Sequence, residues 1–166
     1  MANLIKEQKL VDGHNRALLK YVITSDGSEE ANTLLVDVSM LRGSLNANNM
    51  LMNTLSNLHI KTTYSTTIKR IFGSVQSAAG YVKLLWDGPS NNADIVTMGH
   101  GIFDYNFVAM GAGATIGDPQ GTSNGDILIT TAGLAADEAA TIFIDLRKDN
   151  RDFAAGQFDD PTAFNR

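Results

Sequence analysis

The chain reads as an all-β protein: a single antiparallel β-sandwich, jelly-roll or immunoglobulin-like, with extended N- and C-terminal arms. Three observations lead there. Short strand-like runs recur from about Arg16 to Lys148, separated by turn-forming residues. Little of the chain shows the 3.6-residue periodicity of a helix. After Lys148 the alternation stops, and DNRDFAAGQFDDPTAFNR keeps three phenylalanines without a strand or helix pattern to hold them. The division is therefore an N-terminal arm over 1–16, a sandwich domain over 17–148 and a C-terminal arm over 149–166.

The elements follow in order. Ala17 to Thr24 and Thr33 to Met40 read as the first strand pair, joined by SDGSEEAN with Asp26-Gly27 as turn signal. In the second of these, Leu34, Val36, Val38 and Met40 share one face. The Asn-rich interval from Leu41 to Leu58 reads as a loop with a helical turn. His59 to Tyr64, Thr67 to Val75 and Tyr81 to Trp86 follow as strands, the last ended by Asp87-Gly88-Pro89, and three in a row imply a meander or Greek key. Asp94 to Met98 and Ile102 to Val108 add two more, with Gly99 and Gly101 bracketing His100. Met110 to Gly125 holds five glycines and reads as a long loop. Asp126 to Lys148 reads as a closing hairpin. In its second strand Ile142, Ile144 and Leu146 face one way, and Thr141, Phe143, Asp145 and Arg147 the other.

Composition narrows the function classes. At 166 residues the chain fits one domain that buries roughly 70% of its unfolded surface. Thirteen Lys and Arg against 18 Asp and Glu leave a net charge of -5, which disfavours a polyphosphate partner, so no nucleic acid is expected. No cysteine is present, which removes disulfides, thiolate metal sites and thiol catalysis. The N-terminus has no secretory h-region and no run approaches the ~18 apolar residues of a spanning helix, so the expectation is a soluble product of a cytoplasm with no membrane partner.

Catalytic patterns are weak. His14, His59 and His100 lack metal-ligand spacing. Gly111 to Gly117 lacks the Gly-Lys-Ser/Thr of a phosphate loop. Asp118, Asn124 and Asp126 carry calcium-type oxygens but not the EF-hand order, and read as solvated turn residues. Glu29 and Glu30, with Asp26, imitate a carboxylate pair but lie along one turn rather than across a cleft. No G-x-S-x-G elbow occurs. Trp86, Tyr81 and Tyr105 are candidates for a sugar platform, against which stands the ordinary role of a lone tryptophan in a core. The expectation is a non-enzyme with no catalytic, cofactor or metal residues. The arms carry the sharper signal: Leu4, Ile5 and Leu10 at one end, and Phe153, Phe158 and Phe164 at the other, are the partner-binding candidates, straps that offset their ordering entropy by burying apolar area on a neighbour.

The run Tyr21-Val-Ile-Thr-Ser-Asp-Gly-Ser-Glu-Glu-Ala, then Val36-Asp-Val-Ser, Val82-Lys-Leu-Leu-Trp-Asp, Gly125-Asp-Ile-Leu-Ile-Thr-Thr-Ala-Gly and Ile142-Phe-Ile-Asp-Leu-Arg-Lys, resembles small structural proteins of tailed bacteriophages from aquatic hosts. The resemblance rests on strand and turn patterns rather than on catalytic motifs. It implies a virion component on a β-sandwich, in particular a capsid decoration or cement protein on the outer capsid surface. The implied partners are the major capsid protein and further copies of itself, as a homotrimer. A tail, neck or fibre-associated protein, or a carbohydrate-binding attachment module, is the alternative expectation.

Overall fold

The computed structural model describes residues 3–13, 16–41, 44–45, 60–61, 65–88, 91–108, 116–117 and 125–149. Within them the chain is almost entirely β, in two antiparallel sheets. In chain order the strands are β1 (Leu4–Asp12), β2 (Arg16–Thr24), β3 (Thr33–Val36), β4 (Ser44–Leu45), β5 (Ile60–Lys61) and β6 (Ser65–Gln76), then β7 (Tyr81–Trp86), β8 (Ala93–Met98), β9 (Gly101–Asn106), β10 (Ile116–Gly117), β11 (Ile127–Ala132) and β12 (Ala139–Asp149). The larger sheet runs β1-β2-β12-β6, with β10 and β9 both pairing the far side of β6; the smaller runs β3-β11-β7-β8, and β4 pairs β5 separately.

The alternation expected in β12 is the alternation observed. Ile142, Ile144 and Leu146 are fully buried; on the other face Thr141 and Phe143 are half-buried and Arg147 is exposed, while Asp145 is buried beside Arg16. They join Leu19, Tyr21 and Ile23 of β2 and Ile68 and Ile71 of β6 in one apolar cluster with Leu84 and Trp86 of β7 and Ile127 and Ile129 of β11. The two sheets thus bury one shared core, which supplies most of the folding free energy at ~25 cal/mol per Å2 of apolar surface.

Pairing departs from the sequence reading. Asp126 to Lys148 is not a hairpin: β11 lies between β3 and β7 in the smaller sheet, and β12 between β2 and β6 in the larger. The pair Ala17–Thr24 and Thr33–Met40 is likewise split between sheets. The reason is the same in both cases. Each strand carries a strongly apolar face, and such faces are covered by meeting across the core rather than by lying side by side. The two crossings support one another: the Ser25 N–H donates to the Glu138 carbonyl and the Asp137 N–H to the Ser25 carbonyl, each at 2.8 Å. True local hairpins are β1–β2, closed by Gly13 N–H to the Arg16 carbonyl at 2.9 Å, and β7–β8, which turns at the Asp87-Gly88 signal.

Thr33 to Met40 is strand only to Val36. Val38–Met40 form a 3-10 turn because Asp37 accepts the Ser39 N–H at 2.9 Å and Asp126 accepts the Val38 N–H at 2.8 Å, which replaces the ladder. Asp126 is therefore a buried structural carboxylate, not a solvated turn residue. Of the Met110 to Gly125 interval, the described Ile116 and Gly117 pair with Ile68 and Thr67 of β6.

The segment 1–16 is not a separate arm over its described part. β1 pairs β2 from Leu4↔Thr24 to Asp12↔Ala17, with a bulge between Lys9 and Val11. Asn3 ties its start to the 25–28 turn, donating to the Ser28 carbonyl at 3.1 Å and accepting the Asp26 N–H at 3.0 Å. At the other end Lys148, buried, donates to Asp12 at 2.7 Å, which fastens the end of β12 to the end of β1.

Candidate docking surface

The outward face of the larger sheet carries side chains that the core does not use. Register places Lys20 beside Phe143, Phe143 beside Phe72, and Phe72 beside Asp104, a row crossing β2, β12, β6 and β9. The Phe72 and Phe143 rings stack at 4.6 Å and 3°. The Arg70 guanidinium lies 4.7 Å from the Phe72 centroid, and the Lys20 ammonium 5.8 Å from that of Phe143. Arg70 forks onto both oxygens of Asp104 at 2.8 and 2.6 Å, and Arg16 onto Asp145 at 2.7 and 2.9 Å. The Arg70 hydrogen bond holds the Asp104 carboxyl below the usual carboxylate range. Hydrogen bonding and charge from Asp145 raise Arg16 in turn. The Arg70–Asp104 pair is exposed and screened by solvent, whereas Asp145 is buried beside Arg16; both pairs fix the direction of the charges that flank the rings.

Beside the stacked rings lies a shallow groove of about 360 Å3 lined by Phe72, Gly73, Ser74, Ile102, Thr141 and Phe143, among others. Ile102 is 92% exposed at its rim. Gly73 permits the close approach of β6 and β12: its φ is +151°, and a Cβ there would sit 1.9 Å from the Thr141 carbonyl oxygen. On the core side the Phe103 ring comes within 3.1 Å of the same position and fills the space a side chain would take.

A second, smaller cavity of about 270 Å3 opens between the β1–β2 hairpin and the 33–41 segment, lined by Glu7, Lys9, Tyr21, Leu34 and Met40 with their neighbours. Lys9 donates to the Met40 carbonyl across it at 2.6 Å. Among the described residues the buried Tyr21 hydroxyl at its lining has no hydrogen-bond partner; burial, then the Glu7 charge, pushes the phenol pKa up.

The residues singled out from sequence fall as follows. Leu4 and Leu10 are exposed on β1, whereas Ile5 packs against the core of its own chain. Phe153, Phe158 and Phe164 lie outside the described residues, as do His14, His59, Gly111 to Thr115, Asp118 and Asn124. His100 is exposed in the β8–β9 turn. Trp86 is 1% exposed, so it belongs to the core and cannot stack on a sugar; Tyr105 is held between Phe103 and Phe107 at 6.0 and 6.4 Å, packed against the core. Asp26 caps its own turn through Ser28, and Glu30 accepts from Thr33 at 2.6 Å, so both serve the turn. Among the described residues no three of His, Asp and Glu converge as metal ligands would, and no helix is long and apolar enough to cross a membrane. Phe72, Phe143 and Ile102 are not among the sequence candidates; the signal available is large apolar residues at the polar-facing positions of three strands. In comparisons with known proteins, no family model matches the chain, and no curated protein and no solved structure matches it significantly.

Proposed function

We propose that the protein is a non-enzymatic virion structural component, a capsid decoration protein that binds an assembled shell and stabilises it by bridging major capsid protein subunits, as a homotrimer. In this reading the two sheets form a β-sandwich that acts as a rigid body, and residues 149–166 reach a neighbouring subunit. The observation that carries the reading is the outward face of the larger sheet. Its inner side is apolar and buried in the core, while its outer side presents Phe72, Phe143 and Ile102 between ion-paired charges, the mixture of aromatic and Arg that protein-binding surfaces favour. The acidic balance suits an outer surface better than packaged DNA, and the order of strand and turn runs that resembles phage structural proteins supplies the setting. Weak contacts from several arms of one oligomer add through effective concentration, so no single one has to be tight.

The test is a count. Quantitative mass spectrometry of purified particles is expected to return a copy number that scales with the shell subunits. A number matching the rotational symmetry of the tail axis would assign the protein to neck or tail instead, and no association with particles would end the proposal.

A further inference from the structure

We propose that the groove over β6, β9 and β12 is the seat of the C-terminal segment of a neighbouring copy, with Phe158 as the inserted ring. This takes from the proposed function only the premise that residues 149–166 bind a neighbour; it needs no capsid.

The groove asks for one aromatic or aliphatic group. Its walls are the Phe72 and Phe143 rings and the exposed Ile102 side chain, its base the main chain at Gly73 and Thr141. The seventeen residues after Asp149 offer a matching shape. Phe158 follows Gln157 and, before it, Ala154-Ala155-Gly156, three small residues that let a backbone lie close to a sheet, and it precedes Asp159-Asp160. In the orientation proposed, the chain crosses the groove from β9 toward β2, so that this acidic pair meets Lys20, whose ammonium lies 5.8 Å over Phe143. The carboxylate that also lines the groove, Asp104, is held by Arg70 and so leaves Lys20 as the charge that an acidic pair would meet.

Reach argues for a second copy. β12 ends at Asp149, opposite Ser65, and runs away from the groove. At ~3.3 Å per residue, Phe143 lies about 20 Å behind that end, and Phe153 can travel only about 13 Å from it. Phe158, nine residues past Asp149, spans at most about 30 Å, so within one chain it arrives only if the segment turns back within its first few residues; a neighbouring copy imposes no such turn. Such a head-to-tail contact closes into a ring when the rotation per copy allows, consistent with cyclic oligomers.

The chain contains no cysteine, so single introduced thiols report the contact directly. Full-length Ile102→Cys and Gln157→Cys chains, mixed and mildly oxidised, are expected to form a disulfide-linked pair several-fold more abundant than Leu34→Cys with Gln157→Cys. Leu34 is a control because it is 48% exposed on the other sheet. Adding Phe158→Ala to the Gln157→Cys chain is expected to return the yield to the control level. Linkage no greater than the control, or linkage indifferent to Phe158→Ala, overturns the proposal. So does a chain carrying both cysteines that closes on itself while the mixed chains stay unlinked, since that places the segment on its own copy. Linkage in chains that fail to associate with particles would leave this contact standing and remove the decoration reading.

Discussion

Ile144 and Phe143 are neighbours on β12, both large and apolar, both in the middle of the larger sheet, yet they answer to different demands. Ile144 is fully buried in the shared core, with Ile71 of β6 and Leu19 of β2 beside it in register. Phe143 is half-buried on the other side, stacked on Phe72 and approached by Lys20. The inner face must be filled whatever the protein does, because an unfilled core costs both transfer and cavity energy. Nothing in folding requires two stacked phenylalanines and an exposed isoleucine on the outer face. The outer face is therefore where binding is to be sought.

Four measurements break or sharpen that contrast. Gly73→Ala strikes a point where β6 and β12 leave no space for a side chain; a Cβ 1.9 Å from the Thr141 oxygen has no room, and urea unfolding is expected to show a loss on the order of 4–5 kcal/mol or no folded protein. Ile144→Ala is expected to cost about 3–4 kcal/mol by the same assay. Asp12→Asn leaves the buried Lys148 without that carboxylate and is expected to cost about 3 kcal/mol, somewhat reduced because Asp12 keeps 21% exposure. Phe143→Ala is expected to cost only about 1 kcal/mol while abolishing capture of the C-terminal segment. If Phe143→Ala proved as costly as Ile144→Ala, the outer face would be structural and the contrast would fail.

The smallest expected effect is on pH. Asp104 is held below its ordinary range by Arg70, Asp26 by Ser28, and Glu138 first by the Ser77 hydroxyl and then by the Ala135 N–H. Groups with depressed folded-state pKa contribute stability that is full above the ordinary carboxylate range and lost as pH falls through the folded value. Thermal melts are thus expected to be flat from about pH 7 to 5 and to fall below about pH 4. Glu138→Gln should soften that acid limb. A melting temperature that rises on acidification would contradict the assigned partners.

Much of this is legible from residues. Strand positions agree to within a few residues for β2, β6, β7, β8 and β12, because period-two alternation is a local property of each segment. The inward triad Ile142, Ile144 and Leu146 is legible for the same reason, and Trp86 is the core residue its isolation suggests. The docking face is not legible. Phe72, Phe143 and Ile102 are 30 to 71 positions apart in the chain, and only the pairing of β6 with both β12 and β9 sets them together. The N-terminal segment reads as an arm because its Lys and Glu blur the alternation; those charges suit an edge strand, which among the described residues β1 is.

What residues alone establish, then, is the class of structure and the side of each strand that meets the core, since both follow from the geometry of one extended segment. Which strands become neighbours is a different matter. β11 and β12 look like a hairpin in sequence and lie in different sheets in space, because their apolar faces are buried more completely against each other across the core than side by side. The burial of Lys148 against Asp12, the need for glycine at position 73 and the groove above it all follow from those long-range pairings, and no local pattern announces them.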